Sequence, residues 1–442
     1  MQNQIERALK LKETIVYFVY DAEGEIAIAL ETYVAEKSKK NSYGIKQQNL
    51  TVDLFLTAGK LTAQQKPLDV FLDQSNDLKP EDRQILAYWH QNFIGLFEIK
   101  QIYPDYYELM NWLTAKTYRV YANSTMTAKE TNRWQPGEII LAIIAPINAT
   151  EWFFFSDRII KGNLSQPKLA VAIGEFRDNY PEFLYADAPE LLEQAWDSVA
   201  VYHQEFIDYM GSARITLPGY QLNKKIGELQ QQMSQKKLAE AGIDSSQSLS
   251  EMLERGGTTE EEFTETATNL GADADALAQV IQNKSKLSMV TPKVDLPPEI
   301  KQAETVTVFS DPRWGQMFLP TYEKFTKLLE GDWFEERENS ELLLRKYLEQ
   351  PEINYYVWQQ LKQQYPQALE KLLQNYLNEP NFNLVTDLDR LLLEYDKRSQ
   401  PQLPSIAAVP IHLNNLFEAA VAQVQKNKSK VKKKKKKKGF LD

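Results

Sequence analysis

The chain has 442 residues, no cysteine, and a formal net charge of −10 from 61 acidic and 51 basic side chains. At 43 % hydrophobic, 11 % aromatic and 25 % charged, it is too apolar for a disordered chain and ordinary for a globular one. Without cysteine there are no disulfides, thiolate nucleophiles or thiolate metal ligands.

The length suggests several domains, each able to bury its own core. The N-terminal MQNQIERALKLKET carries charges where a signal peptide needs an apolar stretch, so secretion is not expected. The most apolar run, IILAIIAPI at 139–147, is far short of the roughly 20 residues of a membrane-spanning helix. A soluble, cytoplasmic protein is the plain expectation.

In chain order, residues 1–78 read as a mixed α/β segment. TIVYFVYD (14–21) and LTVDLFL (50–56) read as strands from their β-branched and aromatic content. PLDVFLDQ reads as helical turns opened by Pro67. Residues 79–93 read as a helix, with Pro80, Glu81 and Asp82 in the first turn and Ile85, Leu86, Trp89 and Phe93 on one face.

From 95 to 162 the period becomes that of strands. Five runs (GLFEIKQIY, YYELMNWL, TYRVYAN, EIILAIIAPI, EWFFFSDRII) fit a small barrel of SH3-like or oligonucleotide-binding type. Pro136-Gly137 fits the centre of a type II turn. Residues 187–211 read as a long helix capped by Asp187 and closed by Gly211. The barrel-like domain with its flanking helices is placed at 79–215.

Residues 216–305 form an acidic module and linker. Between 221 and 308 the only aromatic residue is Phe263. Ser248…Glu251 and Thr258…Glu261 have capping-box spacing. Residues 258–282 have a helix-turn-helix look, but the second helix opens with Asp273 and Asp275, which phosphates would repel. KVDLPPEIK (293–301) reads as a linker. Residues 306–400 read as helical hairpins. Tyr347-Leu348-x-x-Pro351-x-Ile353-Asn354 recurs 29 residues later as Tyr376-Leu377-x-x-Pro380-x-Phe382-Asn383, proline ending one helix and asparagine capping the next. An amphipathic helix is expected from 411 within segment 401–425, followed by a disordered lysine-rich tail at 426–442. The fold class expected is α+β: a small β-barrel-like domain with flanking helices, two mainly helical domains and a disordered basic tail.

The order VDLFLTAGK, PLDVFLDQ, LKPEDRQILAYWHQNFIGLFEI, WQPGEIILAIIAPI over residues 50–160 resembles an uncharacterised bacterial module often found in SEC-C motif proteins. Pro80, Glu81, Arg83, Trp89, Phe97, Glu98, Pro136, Gly137 and Leu141 carry the resemblance. It covers about a quarter of the chain and implies a fold unit. That module's zinc-binding tail has no counterpart here, because the cysteines are absent, so no zinc role is implied.

No nucleophile elbow, P-loop, dinucleotide fingerprint, HExxH or EF-hand loop is present. His90, His203 and His412 share no ligand spacing. His203 lies near Glu205 and Asp208 in sequence, but 203 and 205 point apart on a helix. The aromatics of the barrel segment, Tyr103, Tyr106, Tyr107, Trp112, Tyr118, Trp134 and Trp152 to Phe155, read first as core and second as a base-stacking surface. Catalytic residues, cofactors and metals are therefore not assigned.

The conspicuous feature is the C-terminus. The final 17 residues hold ten lysines and one acid, so they carry +9 and leave −19 to the rest. Lys426, Lys428, Lys430, Lys432, Lys433, Lys434, Lys435, Lys436, Lys437 and Lys438 are the candidate anion-binding residues. On a nucleic acid, about seven neutralised phosphates give a salt slope of roughly −6. At an anionic membrane each lysine contributes about 1 kcal/mol. The expectation is a non-enzymatic adaptor or regulatory protein with protein partners and a tail for RNA, a ribosome or an acidic protein. The alternatives are a carboxylate-dependent hydrolase and a peripheral membrane assembly factor.

Overall fold

The computed structural model describes residues 2–38, 44–61, 65–122, 133–240, 289–331 and 337–438. The acidic segment with its two capping boxes and its helix-turn-helix pattern lies outside them. Two compact units are present: Met1–Leu192 with Pro410–Asp442, and Glu193–Val409.

The first unit opens with helices α1 (Gln2–Tyr20), α2 (Glu25–Ser38), α3 (Ile45–Ala58), α4 (Pro67–Gln74) and α5 (Pro80–Tyr88). Both strands expected in this stretch are helices. In α1 the buried Ile5, Ala8, Leu11, Ile15 and Val19 recur at three- and four-residue steps, and this helical stripe overrides the β-branched content of its last turns. In α3 every residue from Leu50 to Thr57 is buried. A helix packed on all sides has no alternating face, so periodicity could not separate it from a buried strand. Pro67 and Pro80 stand at the first helical positions, as expected. The helix expected to run to Phe93 ends in a 3₁₀ turn at Trp89–Gln91 instead, and Phe93 starts the sheet.

Strands β1 (Phe93–Ile102), β2 (Tyr106–Asn111), β3 (Thr117–Tyr121), β4 (Ile139–Pro146), β5 (Glu151–Phe154) and β6 (Ile159–Gly162) follow. The order β1-β2-β3-β5-β4 closes through a β1–β4 pairing into a five-stranded mixed barrel. Only β3 and β5 are parallel among its pairs. β4 is wholly buried: β1 covers one edge, while β6 and then β5 share the other. That explains its unbroken apolar run. Gly137 has φ +89° and Glu138 N–H reaches the Gln135 carbonyl at 3.2 Å, the expected type II turn. The run EWFFFSDRII is split between β5 and β6. Tyr107, Trp134 and Phe154 fill the barrel interior with Phe93, Phe97 and Val120.

Helix α6 (Gln166–Asn179) and the last helix, α15 (Ile411–Lys438), pack together in this unit. Between them in sequence runs α7 (Pro189–Met210), closed by Gly211 at φ +83°.

The second unit takes in most of α7, then β7 (Arg214–Leu217), α8 (Gly219–Glu240), α9 (Pro298–Gln302), β8 (Val306–Asp311) and β9 (Gly315–Leu319). β7, β8 and β9 make a three-stranded antiparallel sheet. The expectation of helical hairpins from 306 missed the β8–β9 hairpin. Its turn is set by Asp311, which accepts from the Arg313 and Trp314 amides (2.8 and 2.9 Å), and by Gly315 at φ +71°. The expected linker at 293–301 is packed, with Leu296 and Ile300 buried.

Helices α10 (Tyr322–Glu330), α11 (Arg337–Glu349), α12 (Tyr355–Gln364), α13 (Pro366–Leu377) and α14 (Leu388–Glu394) complete the unit. The 29-residue repeat works as its sequence suggests in its first copy; in its second, Asn383 closes a turn at 384–387 and Asp387 stands at the start of α14. α11 stops before Pro351 and Asn354 caps α12 through the Val357 amide at 3.2 Å. α13 stops before Pro380, and Asn383 accepts from the Val385 and Thr386 amides at 2.9 and 3.3 Å. Tyr347, Leu348, Ile353 and Phe382 enter one core with Trp358 and Leu373. Among the described residues, no helix is long and apolar enough to cross a membrane.

Candidate anion-binding segment and buried polar sites

The candidate lysines continue the backbone of α15. Leu413, Leu416 and Ala420 form the buried stripe that fixes its first turns. His412 Nε2 donates to the Trp112 carbonyl at 2.8 Å, and burial holds the His412 pKa below its ordinary value. The helix thus has an anchored start in the first unit and a lysine-rich end. Cations suit that end, because the helix dipole is negative there.

The three histidines have separate partners. His90 lies 3.4 Å from Asp69, and His203 Nδ1 is 3.1 Å from Ser310 Oγ. In the same unit as His203, Glu205 pairs with Lys236 and Asp208 accepts from Gln204 at 2.8 Å. Each member of the sequence cluster has a different partner, as helical spacing implies. Among the described residues no group of three His, Asp or Glu side chains is placed to hold a metal ion.

Sequence reasoning missed three buried or half-buried polar sites. The first is Asp187, expected as the cap of α7. Its carboxylate accepts instead from Tyr118 OH at 2.5 Å, Thr114 Oγ1 at 2.8 Å and Asn111 Nδ2 at 3.1 Å. Lys116 donates to the Asp187 carbonyl at 2.6 Å and lies 3.0 Å from Glu190. Burial, then the Asp187 charge, pushes the Tyr118 phenol far above its ordinary pKa. The barrel thus holds the start of α7 by recruiting the carboxylate that would cap it. The second is the Lys12–Asp53 pair, with Lys12 Nζ also 5.1 Å from the Phe155 ring. The third is Lys397, buried, whose Nζ donates to the Gln350 carbonyl just past α11. Burial lowers its pKa to about 8. Each is tied to protein partners, which favours a structural role.

Most of the barrel aromatics are core, with Trp152 and Tyr118 packed at its margin. On the outer face of β2 and β3 a different group forms. Tyr103 and Tyr106 stack with centroids 4.4 Å apart, Tyr106 and Tyr121 are 5.7 Å apart, and the Arg119 guanidinium sits 4.8 Å over Tyr106. Tyr121 OH donates to Glu151 at 2.9 Å, and Glu108 stands opposite Arg119 in register.

Compared with protein-family models, with curated proteins and with solved structures, the chain matches none.

Proposed function

We propose that this chain is a non-enzymatic, cytoplasmic adaptor or regulatory protein whose lysines from Lys426 to Lys438 bind an anionic partner, RNA or a ribosomal surface first. The observation that carries this reading is α15, a helix rooted in the core of the first unit and continued into ten lysines. A body of −19 repels polyanions, so the basic segment is where one would engage.

The barrel favours RNA among the anionic surfaces. Its order, with the parallel β3–β5 pair, is that of oligonucleotide-binding barrels, whose ligand face centres on β2 and β3. This is analogy of fold. Tyr103 and Tyr121 offer ring faces there, the Tyr106 ring being already engaged by Tyr103 and Arg119, and Glu108 and Glu151 offset the charge of Arg119. On this reading the tyrosines stack bases and the lysines supply the charge. The resemblance of residues 50–160 to the SEC-C-associated module adds a fold unit without a zinc role.

The test compares the full chain with one lacking residues 426–442, in binding to single-stranded RNA and to anionic vesicles at about 50 and about 200 mM salt. Loss of RNA binding on deletion, with a steep salt slope in the full chain, is expected. Equal RNA binding by both forms would overturn the reading. Vesicle binding without RNA binding would move the partner to a membrane.

A further inference from the structure

The α1–α2 hairpin presents an apolar face that the first unit does not cover. Tyr17 is 68 % exposed, Tyr20 58 % and Ile28 65 %. α2 is rich in apolar residues, yet none of its side chains is fully buried. Its inner side meets α3 through Tyr33 and Phe55, 5.5 Å apart, and its outer side carries Ile28. The turn is tight: Asp21 N–H reaches the Tyr17 carbonyl at 2.8 Å, and Gly24 has φ +68°. Tyr17 and Ile28 stand an equal number of residues before and after its centre.

The stretch of chain that carries these side chains bears charge of one sign. Between positions 13 and 36 the chain has six acids (Glu13, Asp21, Glu23, Glu25, Glu31 and Glu36) and no lysine, arginine or histidine. All six are exposed. Lys12 and Lys37, which bracket this stretch, are paired with Asp53 and Glu182. A polyanion or an anionic membrane would be repelled here. Charge complementarity calls for a cationic helix with a few apolar residues.

This chain holds such a segment. Residues 421–438 lie on one helix and combine Val421, Val424 and Val431 with ten lysines. Val421 and Val424 are exposed where the buried stripe of α15 ends. We infer that the α1–α2 face docks the lysine-bearing end of α15 from a second copy of the chain. The inference rests on the lysine segment being an anion-seeking element, and it names one acidic partner. RNA and the hairpin would then compete for the same lysines.

Sedimentation velocity of the full chain at low and high salt, alone and with single-stranded RNA, tests this. Concentration-dependent association at low salt is expected, lost on deleting 426–442 and reversed by RNA. A labelled peptide of residues 421–438 should bind the deleted chain. Tyr17→Ala, Tyr20→Ala and Ile28→Ser together should weaken it about tenfold, the scale of one lost anchor. Glu13→Gln, Glu23→Gln and Glu31→Gln should flatten its salt dependence; all six positions are exposed, so folding is kept. A full chain that stays monomeric at low salt overturns the inference, as does peptide binding that ignores both sets of substitutions. RNA binding by a strictly monomeric chain would leave the proposed function standing and this inference refuted. Self-association without RNA binding would do the reverse.

Discussion

Lys12 Nζ lies 2.7 Å from the carboxylate of Asp53, a residue only 5 % exposed in the stretch of α3 where every residue is buried. Burial pushes the Asp53 pKa up to about 6, against the pull of Lys12 and with a small push from Asp157. A carboxyl whose folded pKa is raised favours folding most when protonated. The stabilisation is full below about pH 4 and is lost as pH rises through about 6. Asp53→Asn removes that dependence. Relative to the parent, the variant should gain about 1–3 kcal/mol between pH 4 and 7, read as urea midpoints across the range. A parent that instead gained on the variant as pH rose would show that the Lys12 attraction outweighs burial.

Asp187 serves three side-chain donors from β2, β3 and the turn between them. Asp187→Ala leaves those donors facing a gap and should cost about 2–4 kcal/mol. Tyr118→Phe removes one bond and should cost about 1–2 kcal/mol. The double variant should lose less than the sum, because both changes act on one network. Chemical denaturation of all three forms measures the coupling.

Gly219 marks a close backbone approach. A Cβ there would stand 2.0 Å from the Ile300 carbonyl oxygen and 2.9 Å from that of Lys301. Since backbone cannot swing aside as a side chain does, Gly219→Ala should be among the more damaging single changes in the second unit, at about 3 kcal/mol or more. Gly174→Ala, where an added methyl meets nothing within 4 Å, is the control and should be neutral or mildly stabilising.

The buried ammonium of Lys397 has the opposite pH signature to Asp53. Its pKa is lowered to about 8, chiefly by burial, so its neutral form is the one the fold prefers. That preference is full above about pH 10.5 and fades as pH falls through 8. Stability of the second unit should rise between pH 7.5 and 9.5, and Lys397→Met should abolish the rise while keeping the stem packed. Thermal melts across that range decide it.

Local chemistry made some elements legible. Pro67 and Pro80 marked helix starts, Pro136-Gly137 marked its turn, and Asn354 capped where the repeat placed it, whereas Asn383 closes a turn and leaves the start of α14 to Asp387. The barrel strands were readable because Tyr107, Leu109, Val120 and their neighbours alternate. The α1 and α3 errors share a cause: Thr14–Tyr20 and Leu50–Thr57 have strand-like content but are held by packing from residues far away in sequence. Asp187 failed differently. Its position before Pro189 is right for a cap, and only the barrel brings Tyr118, Thr114 and Asn111 within reach of it. The lysine segment was legible from charge alone. The α1–α2 face was not, because exposure of Tyr17, Tyr20 and Ile28 depends on what α3 leaves uncovered.

On the helical backbone of α15, the span from Lys426 to Lys438 rises about 18 Å at 1.5 Å per residue. Ten charges over that length are one per about 1.8 Å, close to the one per 1.7 Å of duplex DNA with the sign reversed. Such a rod should condense a sheath of chloride as DNA condenses sodium. Its association with any polyanion would then be driven by entropy, through release of small ions from both sides, with little heat exchanged per lysine.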